Sequence, residues 1–94
     1  MIKVIIERFI AESLEPNYED AAKEILQKAV RTEGFISGES LKDALNERHR
    51  FIICTWRSIA DWQRWEVSHE RRELMDKLNL MLEKEEKSTI LEMP

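Results

Sequence analysis

Cys54–Ser68, CTWRSIADWQRWEVS, is the stretch that decides the fold of this chain. It closes an apolar strand pattern, opens a helix and holds all three tryptophans of the protein. Ser58 can accept hydrogen bonds from the unpaired amides of a helix start, and Asp61 adds an acid where the helix dipole favours one. Trp62 and Trp65 then lie on one helical face. The stretch therefore predicts a joint between a strand and a helix that begins at Ser58.

Two apolar stripes follow this joint along the chain. The first consists of Ile59, Trp62 and Trp65, and the second of Leu74, Met75, Leu78, Met81 and Leu82. On one straight helix the second stripe would lie nearly opposite the first. Ser68, with Glu70 behind it, offers a second N-cap. We therefore predict two short helices that meet at a break near Val67–His69.

The N-terminal part predicts a strand and a helix. Residues 2–9, IKVIIERF, are rich in β-branched types, and both faces of this strand carry apolar groups. Glu7 is the polar exception, which places it either at the rim of a pocket or near the strand end. Apolar spacings of three and four predict a helix over 17–32, with Asn17 as its N-cap. Gly34 suits the left-handed residue that ends such a helix.

The remaining segments predict three more strands. Residues 35–44 give a weaker pattern that could be a twisted or bulged strand around Gly38, and a turn near Asn46 leads to the strongest strand, His49–Arg57. The segment Lys87–Met93 is predicted to be the final strand. The order β-α-β-β-α-α-β over a single domain, 1–94, predicts an α+β, ferredoxin-like fold with a four-stranded antiparallel sheet.

The second face of the predicted sheet also carries apolar side chains. A small domain that left such a face in water would risk aggregation. A second copy packed sheet to sheet with two-fold symmetry would cover it. We therefore expect a homodimer through the sheet face.

Composition and charge exclude several classes of protein. The 94 residues carry a formal net charge of −4, which argues against a nucleic-acid partner. No stretch approaches the roughly 20 apolar residues of a membrane span, and no secretory signal is evident. We therefore expect a cytoplasmic protein with no membrane partner. Cys54, the one cysteine, is interpreted as a small buried hydrophobe.

Metal and anion sites receive weaker support from the sequence. His49, Cys54 and His69 are too far apart to give the close spacing of zinc ligands, so no metal site is expected. The arginines of the second half are interpreted mostly as solvated surface, although one of them could hold a substrate oxyanion or carboxylate. They are Arg50, Arg57, Arg64, Arg71 and Arg72.

The segment Thr55–Ser58 (TWRS), followed by Asp61–Trp65 (DWQRW) and Ser68, resembles the antibiotic biosynthesis monooxygenase family. The resemblance covers almost the whole chain, including Gly34-Phe35. It implies a dimeric α/β barrel, in which two ferredoxin-like chains join their sheets. It also implies oxidation of a quinol or another small aromatic compound by oxygen with no cofactor.

Another branch of the family opens the haem ring. Its pattern has an asparagine on the first strand, a helical tryptophan and, ten residues later, a histidine that binds iron. Trp65 matches the tryptophan, but Glu7 and Met75 stand at the other two positions. Haem degradation is therefore not expected. The resemblance leaves Trp62, Trp65, Glu7 and Met75 as candidate substrate-binding residues.

Two interpretations of the helical aromatic face remain open. Trp62, Trp65 and His69 share a face if the helix continues that far, and could form a flat pocket with His69 as proton acceptor and catalytic candidate. Alternatively, both tryptophans pack in the core and His69 decorates a helix start. The corresponding functions are a cofactor-independent monooxygenase and a non-catalytic dimeric barrel that binds a small hydrophobic ligand. A regulatory ferredoxin-like module is a third hypothesis.

Overall fold

The computed structural model describes all residues 1–94 and contains four strands and three helices. Along the chain they are β1 (Ile2–Phe9), α1 (Glu15–Val30), β2 (Phe35–Asp43), β3 (Asn46–Trp56), α2 (Ile59–Glu66), α3 (His69–Asn79) and β4 (Lys87–Leu91). All neighbouring strands are antiparallel, in the order β2-β3-β1-β4. The expected ferredoxin-like arrangement is therefore confirmed, with the second helical region divided in two.

One face of the sheet packs against the helices and forms the core. Side chains of a strand alternate between the two faces, and every second residue of β1 is buried. These residues are Ile2, Val4, Ile6 and Arg8, and their partners across β3 are Trp56, Cys54, Ile52 and Arg50. Cys54 is a free, buried cysteine, as predicted. We call this helix-covered side the inner face.

Helix α1 begins earlier than predicted. Its first residue is Glu15, and Leu14 occupies the N-cap position without a side-chain cap, so the assignment of Asn17 as N-cap is wrong. Pro16 fits the first turn because the amide that proline lacks has no partner there in any case. The helix ends at Val30. Gly34 has the expected positive φ of 91°, but it turns the connection to β2 rather than ending the helix.

The break between α2 and α3 is confirmed. Ser58 caps α2 by accepting a hydrogen bond from the amide of Asp61, and Ser68 caps α3 through the amide of Arg71. Both capping oxygens lie 3.2 Å from the nitrogen. Because the chain turns between α2 and α3, the two apolar stripes predicted from the sequence face the same core.

The strands differ from their predicted bounds at several ends. The irregularities of β2 lie between Phe35 and Ser37 and between Lys42 and Asp43, so the first of them comes just before Gly38 rather than at it. Strand β3 starts at Asn46 because its hairpin turn is shorter than predicted. Strand β4 stops at Leu91.

The side of the sheet that faces away from the helices, which we call the outer face, remains partly open. Ile5 of β1 and its partner Ile53 of β3 are only half-buried there, as is Phe51. The outer face is thus an apolar surface with no helix over it. Among the helices, none has the length and apolar character needed to cross a membrane.

Candidate functional site

A small cavity lies between the inner face and the helices, beneath Trp65 of α2. Ten of its twelve lining residues are hydrophobic, including Ile52 of β3 and Ala29 of α1. The remaining two are Arg8 of β1 and Arg71 of α3. Its volume is about 20 Å³, little more than one water molecule needs. The cavity is therefore an apolar space with one cationic wall.

The joint at Ser58 positions the two helical tryptophans differently. Trp62 and Trp65 are both buried, because the cap directs the first turn of α2 over the sheet. Trp62 packs edge-on against Trp56, with ring centroids 5.8 Å apart, and does not line the cavity. Trp65 does line it. Trp62 thus packs in the core, whereas Trp65 forms part of the cavity wall.

Arg8 and Arg71 converge on a single carboxylate. Arg8 Nε donates to Glu86 Oε2, and Arg71 Nη2 donates to Glu86 Oε1, both at 2.7 Å. Arg8 also donates through Nη1 to the Tyr18 hydroxyl at 3.3 Å. The two arginines are only 2% and 6% exposed. Two cations therefore share one anion in a nearly dry part of the protein, and we call Arg8, Arg71 and Glu86 the arginine cluster.

The arginine cluster keeps its charges despite its burial. Burial opposes the charge on Arg8, but Tyr18 and Glu86 outweigh it and raise the pKa of Arg8 above its ordinary value. Burial likewise favours the neutral form of Glu86, yet the guanidinium groups of Arg8 and Arg71 hold the pKa of this carboxyl below its ordinary value. Two positive charges and one negative charge leave a net charge of +1 beside the cavity.

Of these polar groups, only Arg71 was among the arginines predicted from the sequence to include one that could hold an anion. Arg57, Arg64 and Arg72 are exposed, as expected for most of that set, whereas Arg50 and Arg71 are buried. Arg50 is held by Glu19 and donates to a backbone carbonyl of its own strand. The alternation along β1 places Arg8 on the inner face, so the period of the strand is a signal for its burial. No sequence pattern indicates a buried role for Glu86, because this residue lies in a run of charged residues.

Met75 is a candidate that lies beside the arginine cluster but not in the cavity. It is buried on α3, and its sulfur lies 3.9 Å from Arg8 Nη2. It borders an external groove of about 300 Å³ together with Arg71, Glu86 and Ser88. Met75 therefore contacts the arginine cluster and the groove without lining the cavity.

Glu7 lies on the outer face of the sheet, away from the cavity. Its Oε2 is 2.5 Å from Nε2 of His49, whose Nδ1 is 3.1 Å from Asp43 Oδ2. The hydrogen bond that His49 donates to the Glu7 carboxylate is the main cause of a raised His49 pKa; burial opposes this shift and Asp43 reinforces it. The His49 ring stacks on Phe9 at 4.2 Å. Glu7 thus belongs to a structural cluster that the strand register creates.

His69 is the first residue of α3, and its side chain is 87% exposed. Its Nε2 lies 2.9 Å from Glu73 Oε1, one helical turn further on. The break at Ser68 turns this residue outward, whereas Trp65 before the break faces inward. The structure therefore does not bring His69 to the cavity. No group of three or more His, Cys, Asp or Glu side chains is arranged to hold a metal ion.

The family model for antibiotic biosynthesis monooxygenase matches residues 1–77. The chain belongs to the antibiotic biosynthesis monooxygenase family. Both arginines of the cluster lie within the matched residues, whereas Glu86 lies beyond them. No curated protein matches the sequence.

Solved structures share the whole fold of this family member at low sequence identity. An antibiotic biosynthesis monooxygenase crystal structure is 16% identical, with 100% of this chain and 99% of that chain covered and a TM-score of 0.90. A conserved protein from Methanosarcina mazei Go1 is 17% identical, with 95% and 88% covered and a TM-score of 0.88. SnoaB, a cofactor-independent oxygenase from Streptomyces nogalater, is 12% identical, with 99% and 93% covered and a TM-score of 0.86.

Proposed function

We propose that the chain is a cofactor-independent monooxygenase that acts on a quinol or another small aromatic compound. The observation that carries this proposal is the apolar cavity beneath Trp65 with Arg8 and Arg71 in its wall. An aromatic ring is held by apolar surfaces, and the anion it forms is stabilised by fixed positive charge. The description of SnoaB as a cofactor-independent oxygenase makes this reaction class the first to test.

Oxygenation without a cofactor requires a substrate that becomes electron-rich by losing a proton. A hydroquinone that loses one proton gives a phenolate, which reduces oxygen: one oxygen atom enters the ring as a hydroxyl group, the other leaves as water, and the hydroquinone is oxidised to the hydroxyquinone. The net positive charge of the arginine cluster lowers the pKa of a phenol held beside it. His69 lies at the surface, so the phenolic proton passes to water in this scheme.

The size of the cavity sets a condition on this reaction. A dry cavity of about 150 Å³ is known to admit benzene, whereas the present cavity measures about 20 Å³. A substrate ring therefore enters only when the helices move away from the sheet. Helix α1 lines the cavity with two small side chains, Ala22 and Ala29, so little side-chain volume has to move when a ring enters.

Oxygen consumption with a panel of hydroquinones and anthrones tests the proposal. We expect turnover by the wild-type protein and its loss in Ala29→Val, because the added methyl groups fill the cavity. Val30→Leu is the matched control, since Val30 is the next residue and is exposed. Absence of both turnover and binding across the panel would overturn the proposal, as would equal activity of the two variants.

A non-catalytic barrel that binds a small hydrophobic ligand is the second candidate. The observation that favours it is the absence of a strong base from the cavity lining, where Cys54 accompanies the two arginines. Burial raises the pKa of the Cys54 thiol, although Trp56 and the arginines oppose this shift. A ligand that changes tryptophan fluorescence without forming product would support this candidate over the enzyme.

The proposed assembly is a homodimer through the outer face. Ile5, Phe51 and Ile53 form a half-buried apolar surface there, and a second copy would cover it. Two-fold packing of the sheets closes them into the barrel that the family resemblance implies.

A further inference from the structure

Arg71 has hydrogen-bonding capacity that no protein atom uses. Its Nη2 is bonded to Glu86, but its Nε is buried without a partner. Trp62 Nε1 is a second buried donor without a partner, and the Arg71 guanidinium carbon lies 5.6 Å from the Trp62 ring. Buried donors in folded proteins almost always have an acceptor. Arg71 thus offers an unused N–H in a residue that lines the cavity.

The charge balance of the arginine cluster also indicates that an acceptor is missing. Glu86 is the one carboxylate bonded to either arginine of the cluster. The other partners of Arg8 are the Tyr18 hydroxyl and the Met75 sulfur, neither of which is a carboxylate. Arg50, whose guanidinium also lies over the Tyr18 ring, has its own partner in Glu19. One positive charge of the cluster therefore remains uncompensated in a buried place, which is unfavourable.

We propose that Arg71 binds one singly charged oxygen anion, the carboxylate or enolate of an aromatic ligand whose ring lies beneath Trp65. Such a ligand brings the cluster to two cations and two anions and supplies an acceptor for Arg71 Nε. The proposal rests on the proposed function for the place of the ring, and it adds the charge and the group that the ligand carries. It also makes Arg71 the residue that distinguishes anionic from neutral aromatic compounds.

Arg71 borders two spaces, the internal cavity and an external groove of about 300 Å³. The other residues of the groove lining include Met75, Ser88 and the three carboxylates of Glu66, Glu85 and Glu86. Glu86 lies in the connection between α3 and β4, directly before the strand. It already shows that a carboxylate fits between the two arginines, with one oxygen on each. Arg71 is the one cationic residue of the groove lining, so it is the only place there where an anion meets a positive charge.

Isothermal titration with 2-naphthoate and its neutral counterpart 2-naphthamide tests the proposal. We expect wild-type protein to bind the carboxylate in preference to the amide. Arg71→Met keeps an apolar stem and removes the charge, and should weaken 2-naphthoate binding by about 10- to 100-fold, the usual worth of a charge-assisted hydrogen bond. Arg72→Met is the matched control, because Arg72 is the next residue of α3 and is exposed. Equal binding of both probes, or equal effects of the two variants, would overturn the proposal.

Glu86→Gln provides an independent test, which can still be made if Arg71→Met folds poorly. Loss of the carboxylate leaves both arginines uncompensated, so 2-naphthoate should raise the melting temperature of this variant more than that of the wild type. A shift no larger than the wild-type shift would contradict the proposal.

The anion site and the oxygenase activity can fail separately. Absence of oxygen uptake with every substrate, together with retained preference for 2-naphthoate, would remove the enzyme and leave the anion site. Quinol turnover with unchanged kcat/KM in Arg71→Met would remove the anion site and leave the enzyme.

Discussion

Gly34 lies directly against the side chain of Asp61: a β-carbon on Gly34 would be 2.4 Å from Asp61 Cγ. The backbone carbonyl of Gly34 also accepts a hydrogen bond from the amide of Arg57 at 2.7 Å. Asp61 in turn accepts from Arg57 Nε at 2.8 Å and from the Ser58 hydroxyl at 2.9 Å. The turn after α1 and the start of α2 are therefore one packed unit, and this unit fixes the helix that carries Trp65.

Gly34→Ala should destabilise the protein strongly. The residue has φ of 91°, a conformation that costs a residue with a β-carbon about 1–3 kcal/mol, and the clash with Asp61 adds to this cost. Urea unfolding measures the loss. Gly38→Ala is the control, because its φ is not positive and the nearest atom to its new methyl group, at 3.0 Å, is the far end of the Phe35 ring. Similar losses in both variants would contradict the role assigned to Gly34.

Asp61 makes the stability of this unit depend on pH. Hydrogen bonds from Arg57 first, then from Ser58 and Arg64, outweigh burial and lower its pKa from 3.8 to about 2. Because the carboxyl has a lower pKa in the folded than in the unfolded state, its stabilisation is fully present above pH 3.8 and is lost as the pH falls towards 2. The ionised form of Asp61 is therefore the one that holds the joint together.

Asp61→Asn tests this pH dependence. The variant should melt below the wild type at pH 7, and the difference in melting temperature should shrink as the pH falls from about 4 towards 2. Asp20→Asn, an exposed position on α1, is the control and should leave the pH dependence unchanged. A difference in melting temperature between wild type and Asp61→Asn that stays constant from about pH 4 to pH 2 would show that the charge of Asp61 does not stabilise the joint.

The fold could be predicted because its decisive features are local. Ser58 and Ser68 lie directly before their helices, and the two apolar stripes after Ser58 can be read only as separate helices. The assignment of Asn17 as N-cap is wrong for an equally local reason. Asn17 is a residue type that caps helices well, but proline is also tolerated in the first turn of a helix. Helix α1 therefore starts before Pro16, at Glu15. Strand ends shifted by one to three residues because edge residues follow the register of their neighbours.

The site was only partly predictable because its polar groups come from distant parts of the chain. Trp65 is found from helical spacing alone. Arg8, Arg71 and Glu86 meet only when β1, α3 and the connection before β4 pack together, and an arginine in a sequence usually indicates surface. His69 was placed on the tryptophan face only under the assumption of an unbroken helix, which the cap at Ser68 interrupts.

Cys54 should react slowly with thiol reagents in the folded protein. It is buried beside the cavity, and burial raises its pKa above the ordinary value of 9.0, so little thiolate is present at neutral pH. Reaction with a disulfide reagent should be much faster in urea than in buffer. Added 2-naphthoate should slow the reaction in buffer further if the ligand occupies the cavity. Equal rates in urea and in buffer would mean that the cavity opens freely to solvent.

Ile53→Glu should dissociate the proposed dimer. Ile53 is half-buried near the middle of the outer face, between Ile5 of β1 and Glu39 of β2. A stable interface buries about 800 Å² on each partner, and a carboxylate without a counterion at its centre is strongly unfavourable. Sedimentation velocity should show a dimer for the wild type and a monomer for the variant.

Leu45→Glu is the matched control for the dimer. It makes a similar chemical change at the hairpin tip, where Leu45 is 96% exposed and lies outside the apolar surface of Ile5, Phe51 and Ile53. This variant should remain a dimer. A wild-type protein that sediments as a monomer at every concentration would overturn the assembly, and dissociation of both variants would place the interface elsewhere. The monomeric Ile53→Glu should also show whether oxygen consumption needs the closed barrel, because its cavity lies on the opposite side of the sheet.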